Sequence, residues 1–465
     1  MTDERGEICE AGAPPPGYLG AEARITRGPA PELVAAGYEL ELADAPLLER
    51  GLTLADIAHV RALPTIPDEH RRALLDVLPD LQLEDVDSRY GDIVNARERE
   101  LEHRVGEAAG WLNAGRPRRE AGRIAFRIAL RTRLLDLTDA IARFAQALTD
   151  TAAHERDTPM PDYTYLQVGQ PTTAGHWLLS FAYPALRDAE RVLADFAHVN
   201  RSPAGAGGVN GSRFPLDREQ LSKLLGFSEP IAHTRDAMWQ TDGFAEAAWH
   251  AALAATNASR FAEDAEIYGS DEFGLLRIGD ELCRASALMP QKRNPYALVV
   301  IRGGARTLLG RATGVLAAQQ TPSGRTDNLL HAYGEVPGAV DLATRLLDLA
   351  AATAETLTFD PAAAARALER GHALATDAAE DISLRTGRPY RDAYREVGRA
   401  VAAGAFEPHD TVGDALATRT VTGGAAPAPM EAMLAQCAAA VKHVRERAGA
   451  ARRALQEAER ALLGA

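Results

Sequence analysis

The chain has 465 residues, 46% of them hydrophobic, which suffices for a substantial core and permits two or three domains. Lysine plus arginine number 51 against 65 aspartates and glutamates, and the formal charge of −14 argues against a general binder of nucleic acid or anionic membrane. It leaves room for a local basic pocket that holds a small anion. Cys9, Cys283 and Cys437 lie far apart without metal-ligand spacing, so neither a disulfide framework nor a metal cluster is expected. A reducing cytoplasm is the simple reading.

Met1–Glu10 is acidic and lacks an apolar centre, unlike a secretory signal, and no apolar run approaches the ~20 residues that span a membrane. Residues 1–20, with Pro14, Pro15 and Pro16, read as a loose tail. From about residue 30 the pattern is helix after helix. Leu134, Leu137, Ile141, Phe144 and Leu148 recur at three- and four-residue spacing, as do Leu342, Leu346, Leu349, Thr353 and Leu357. Each set lays an apolar stripe along a helix, and bundle core is its expected use. Abundant alanine suits helix interiors and close helix–helix approach.

Loops are marked by composition at Ser202–Arg213, which holds Gly205, Gly207, Gly208 and Gly211, at Thr321–Asp327, and at Val421–Met430. The glycines of the first lack the strand–helix setting of a nucleotide fingerprint. The predicted fold is all-α. After the tail come an N-terminal helical domain (21–115), a long central helix bundle (116–362) and a small helical C-terminal domain (363–465).

One segment stands apart. Ser286–Pro295 reads Ser-Ala-Leu-Met-Pro-Gln-Lys-Arg-Asn-Pro. Two prolines remove backbone donors and turn the preceding residues away from helix, so a mobile loop is expected. It carries a hydroxyl, an amine and an amide in one short stretch. The segment closely resembles the signature loop of the fumarase/aspartase superfamily.

Other stretches narrow the resemblance to argininosuccinate lyases and extend it over nearly the whole chain. Asp162–Thr173 is similar to the second family motif, and Leu112–Glu120 occupies the place of the first. Arg260–Phe273, Leu374–Asp377 and Val421–Pro427 also follow the family. The resemblance implies three helical domains and a homotetramer in which three subunits contribute to each site. It implies elimination of a group from a succinyl carbon with release of fumarate, and no cofactor.

The proton removed in such a reaction is weakly acidic. The chemistry therefore calls for a strong base and a cage of donors for the doubly charged intermediate. By resemblance Ser286 is the catalytic serine, its alkoxide stabilised by loop amides and nearby positive charge. Lys292 and Asn294 match the carboxylate-binding pair. Thr164 and Gln167 add donors from the second motif, and Arg118 matches the arginine of the first. Thr164 has a second reading as a helix cap.

The departures share a theme. The second-motif histidine is Tyr165, and the glutamate that pairs with it is Val299. Both members of a hydrogen-bonded pair are lost together, which points to a site rebuilt around Tyr165. The phenol would donate a proton or hydrogen-bond substrate, or simply fill the volume. In the first motif Pro117 and Arg119 replace carboxylate-binding Ser and Asn, Ala114 replaces Thr, and Glu120 replaces Asp. Val94 stands for a further histidine, and Ala285 and Ala287 replace the loop's leading Gly and second Ser. The arginine-cradling segment is not recognisable in Ser323–His331, where Arg325 falls near the family tyrosine.

Gain of Arg119 and Arg325 favours a dicarboxylate-type substrate with a different, more anionic remainder, since guanidinium groups bind carboxylates in pairs of hydrogen bonds. The leading expectation is a carbon–nitrogen lyase acting on something other than argininosuccinate, in specialised metabolism. Elimination of a different leaving atom, or a non-catalytic homologue, are the alternatives.

Overall fold

The computed structural model describes residues 28–83, 86–322, 324–325, 327–330 and 332–464. The expected tail (1–20) and Cys9 lie outside the described residues. The helices that build the molecule are α1 (Ala45–Ala62), α2 (Ile93–Val105), α3 (Arg118–His154), α4 (Ala174–Val199), α5 (Asp242–Tyr268), α6 (Tyr296–Ala318) and α7 (Ala332–Glu355). They are followed by α8 (Pro361–Arg370), α9 (Ala375–Thr386), α10 (Tyr390–Ala402) and α11 (Pro427–Gly464).

Helix α3 is the spine. The predicted stripe Leu134, Leu137, Ile141, Phe144 and Leu148 is buried along it, against α4, α7 and α11. Helix α5 turns an alanine face inward, with Ala247, Ala248, Ala251, Ala255, Ala258 and Ala262 buried, which lets its neighbours approach closely. Leu346 and Thr353 of the second stripe are buried in α7. Leu357 is also buried but lies beyond the helix end.

Down another face of α3 run Arg123, Arg127 and Arg131, one turn apart and all buried. Each guanidinium donates to carbonyls at or just beyond the end of a helix: Arg123 to Met238, Arg127 to His198 and Val199, and Arg131 to Leu225 and Gly226. Helix ends leave carbonyls unsatisfied and carry partial negative charge, so a cation there meets both needs. Burial still holds each arginine down at about 10.

A second core joins α1 to α2 and the segment around Trp111, and is completed by Leu221, Leu225, Phe227 and Leu462 from far along the chain. A separate small cluster is built by α9 and α10 around Ala379, Ala393 and Val397. Helix α11 then returns to the bundle, placing Met430, Met433, Cys437, Val441, Val444 and Ala448 in the main core. The expected C-terminal unit (363–465) thus contains both a separate knob and a bundle helix. Strands are short and paired in twos.

Candidate active site

The signature loop is the tip of a two-strand hairpin. β3 (Arg284–Ala285) pairs antiparallel with β4 (Arg293–Asn294), which encloses Ser286–Lys292 between them. Ser286 Oγ accepts hydrogen bonds from the backbone amides of Met289 at 3.0 Å and Leu288 at 3.3 Å. The hydroxyl oxygen therefore sits in a small amide nest, the setting that favours negative charge on it. Asn294 Nδ2 donates to the Arg284 carbonyl at 2.9 Å, and Arg293 Nε to Asp280 Oδ1 at 2.7 Å, which pins the base of the loop. Lys292 is exposed, as are Leu288 and Met289.

The second motif also forms a hairpin. β1 (Pro159–Thr164) pairs with β2 (Gln167–Thr173), and Thr164 faces Gln167 across the last rung. Thr164 is thus a strand residue and caps no helix, which corrects that alternative. Tyr165 and Leu166 make the turn with φ of 55° and 57°. Tyr165 is 99% exposed at the tip. The hairpin base is tied down by Thr172 Oγ1 to His176 Nδ1 at 2.9 Å and by His176 Nε2 to the Gly423 carbonyl at 3.0 Å. Tyr163 packs between Tyr268 and Phe273, at centroid distances of 5.4 and 5.3 Å.

The first motif opens α3. Gly115 has φ of 75°, and a Cβ there would lie 2.5 Å from Ser212 Oγ, so only glycine fits. Glu120 is buried and accepts the Gly205 and Gly207 amides at 2.7 and 2.6 Å. It orders the glycine-rich loop. Burial pushes its carboxyl up to about 7 although those amides and Arg116 hold it down. Arg118 and Arg119 line a cleft of about 100 Å³ with Glu41, Asp44, Asp92 and Tyr333. Arg118 Nη1 is hydrogen-bonded to Asp92 Oδ2 and lies 3.7 Å from Glu41 Oε2.

Sequence reasoning missed these partners. Asp92 could have been found as the cap of α2, whose Val94 and Asn95 amides it accepts, but nothing local marks Glu41, Asp44 or Tyr333. Arg325 lies elsewhere. It lines a cleft of about 410 Å³ with His233, Arg235, Trp239 and Gln319. The candidate residues thus fall into groups: Ser286, Lys292 and Asn294; Thr164, Tyr165 and Gln167; Arg118 and Arg119; and Arg325 apart. Among the described residues no hydrogen bond or ion pair joins one group to another. Nor does any cluster of three or more His, Cys, Asp or Glu suit a metal, and no helix is long and apolar enough to cross a membrane.

The family model described as lyase matches residues 52–310. Argininosuccinate lyase of Methanothermobacter thermautotrophicus is 31% identical over 355 residues, covering 74% of this chain and 76% of its own. Argininosuccinate lyase of Mycolicibacterium gilvum is 35% identical over 362 residues, covering 75% and 77%. Among solved structures, EDDS lyase in complex with formate superposes with a TM-score of 0.82 at 23% identity, over 97% of this chain and 95% of that one. The 3-carboxy-cis,cis-muconate lactonizing enzyme of Pseudomonas putida shares the fold with a TM-score of 0.64 at 21% identity, over 91% and 96%. The chain belongs to the fumarase/aspartase superfamily, as a divergent lyase of its argininosuccinate lyase-like, carbon–nitrogen-cleaving branch.

Proposed function

We propose that the protein eliminates an amine from a succinyl-type dicarboxylate to give fumarate, or runs the reverse addition, and that argininosuccinate is not its substrate. The observation that carries this reading is the Ser286 oxygen held by two loop amides on the same hairpin as Lys292 and Asn294. Amide donors lower the cost of an alkoxide, so Ser286 removes the proton beside the substrate carboxylate. The carbanion's charge passes into that carboxylate, where Lys292 and Asn294 stabilise it. The electron pair then forms the double bond as the C–N bond breaks. Tyr165 gives the departing nitrogen its proton, and Thr164 and Gln167 hold the substrate from the same hairpin.

Argininosuccinate is disfavoured by the loss of the family's His–Glu pair at Tyr165 and Val299, and by Arg119 in place of an asparagine. Arg325 lines a different cleft from Arg118 and Arg119, so a single chain does not gather the guanidinium groups gained into one anion trap. The groups of site residues stand apart in one chain, which supports sites shared between subunits of a homotetramer.

The test is a panel of N-succinyl amines and amino acids, argininosuccinate included, offered to purified protein with fumarate followed by ultraviolet absorbance. Ser286→Ala should lower the best rate by at least ~10³-fold with an unchanged far-ultraviolet circular dichroism spectrum. Equal rates for the two proteins, or argininosuccinate as the best substrate, would overturn the reading.

A further inference from the structure

A cleft of about 720 Å³ lies between the C-terminal half of α11 and the short helix Arg218–Leu224, and none of the candidate residues above lines it. Helix α11 contributes Ala451, Ala454 and Leu455, three positions on one face. Phe196 and Phe227 add aromatic surface. Arg131 of α3 fixes this side of the cleft. Its guanidinium lies 4.5 Å from the centroid of the Phe227 ring and donates to Asn200 Oδ1 and to the Gly226 carbonyl, each at 3.1 Å. The volume falls in the range of small-molecule sites, roughly 300–1,000 Å³.

The wall made by the short helix is polar. Ser222 is 2% exposed and lines the cleft, and its Oγ has no hydrogen-bond partner. A serine inside a helix ordinarily bonds back to the carbonyl one turn earlier, and a buried hydroxyl left unpaired is costly. Glu219 and Lys223 line the same cleft one turn apart, in the order that favours an ion pair along a helix. Among the described residues they form no such pair, and neither side chain has another partner. Their neighbours are engaged: Asp217 accepts the Glu219 and Gln220 amides at 2.9 and 3.1 Å, and Arg218 donates to the Ala204 carbonyl at 3.1 Å. A simple anion would answer only Lys223, a simple cation only Glu219, and an uncharged apolar molecule neither. We propose that this cleft binds a free α-amino acid with a large apolar or aromatic side chain. Its ammonium meets Glu219, its carboxylate meets Lys223 and accepts from the Ser222 hydroxyl, and its side chain lies against Phe196, Phe227 and Leu455. Both ligand charges are then paired beside an apolar wall, where charge-assisted hydrogen bonds are strong. None of these residues takes part in the elimination proposed above, so this is a separate binding site.

The experiment is calorimetry on the full chain with L-phenylalanine, L-tryptophan and L-leucine. Two analogues serve as controls: 2-phenylethylamine, which lacks the carboxylate, and 3-phenylpropanoate, which lacks the ammonium. The amino acids should bind, and loss of either ligand charge should weaken binding by about tenfold or more. Glu219→Gln and Lys223→Gln should each cost about tenfold in affinity, and Ser222→Ala about fivefold. Glu219 and Lys223 are exposed, so their variants keep the fold, which an unchanged melting temperature checks. No binding of any of the three amino acids, equal binding of the singly charged analogues, or affinities that survive both Glu219→Gln and Lys223→Gln would overturn the proposal.

Discussion

Tyr165 and Leu166 adopt left-handed backbone although neither is glycine. A two-residue hairpin turn of the type I′ kind needs positive φ at both positions and usually recruits Asn-Gly. Side-chain-bearing residues pay roughly 1–2 kcal/mol each for that conformation. It persists because the hairpin below is fixed by Tyr163 between Tyr268 and Phe273 and by the His176 ties. Strain retained at an exposed tip supports the proposed role of Tyr165, since a better turn sequence was available. The sequence pointed to Tyr165 through its motif but not to the turn, because Tyr-Leu carries no turn signal. Tyr165→Phe keeps the ring and the backbone and removes only the hydroxyl. If the phenol supplies the leaving-group proton, kcat falls by about 10²-fold or more while the melting temperature stays put, because the hydroxyl is exposed. Undiminished kcat would leave Tyr165 as a volume filler.

At the scale of elements, helical periodicity made α3 and α7 legible. The return of α11 to the bundle was not, because a helix's stripe says that it is buried but not against what. Electrostatic ties between helices were equally hidden. One joins α4 to α5: His250 Nδ1 lies 2.9 Å from both carboxylate oxygens of buried Asp195. Asp195 holds the imidazole above its ordinary value of 6.5, so the folded state favours the protonated ring. Burial pushes the Asp195 carboxyl up even beside the imidazole, so the gain at His250 is partly offset by the cost of a buried carboxylate. The sign for the histidine is clear. Its stabilisation is complete below the unfolded value near 6.5 and is lost as pH rises through the raised folded value. His250→Gln should therefore lower stability by about 1 kcal/mol at pH 6 and by less at pH 9. Melting curves of both proteins at the two pH values check this, and an equal loss at both would remove the titration from the account.

At the scale of the whole molecule, α6 is apolar on its outer face as well as its inner one. Its inner stripe, Leu298, Ile301, Ala305, Leu308, Ala312 and Val315, is buried in the bundle. On the opposite side the exposed residues include Val299, Val300, Gly303, Leu309, Gly310, Gly314 and Leu316, and the one charged member of that exposed set is Arg306. A helix that is apolar on both sides is a buried helix, and small residues among large ones let a second helix come close. This face supports the proposed tetramer. On the proposed tetramer it also accounts for a site legible only in part: the sequence named each cluster of polar residues from its motif, and their convergence would depend on contacts between chains. A charge on this face should break assembly and chemistry together without harming the fold of each chain. Leu309→Lys is the sharper choice, because Leu309 is half exposed and lies far from Ser286 in the chain. Light scattering should show smaller species, circular dichroism should be unchanged, and turnover should fall with the tetramer fraction as protein is diluted. Full turnover from a dissociated variant would mean that one chain completes its own site, and the shared-site proposal would fall.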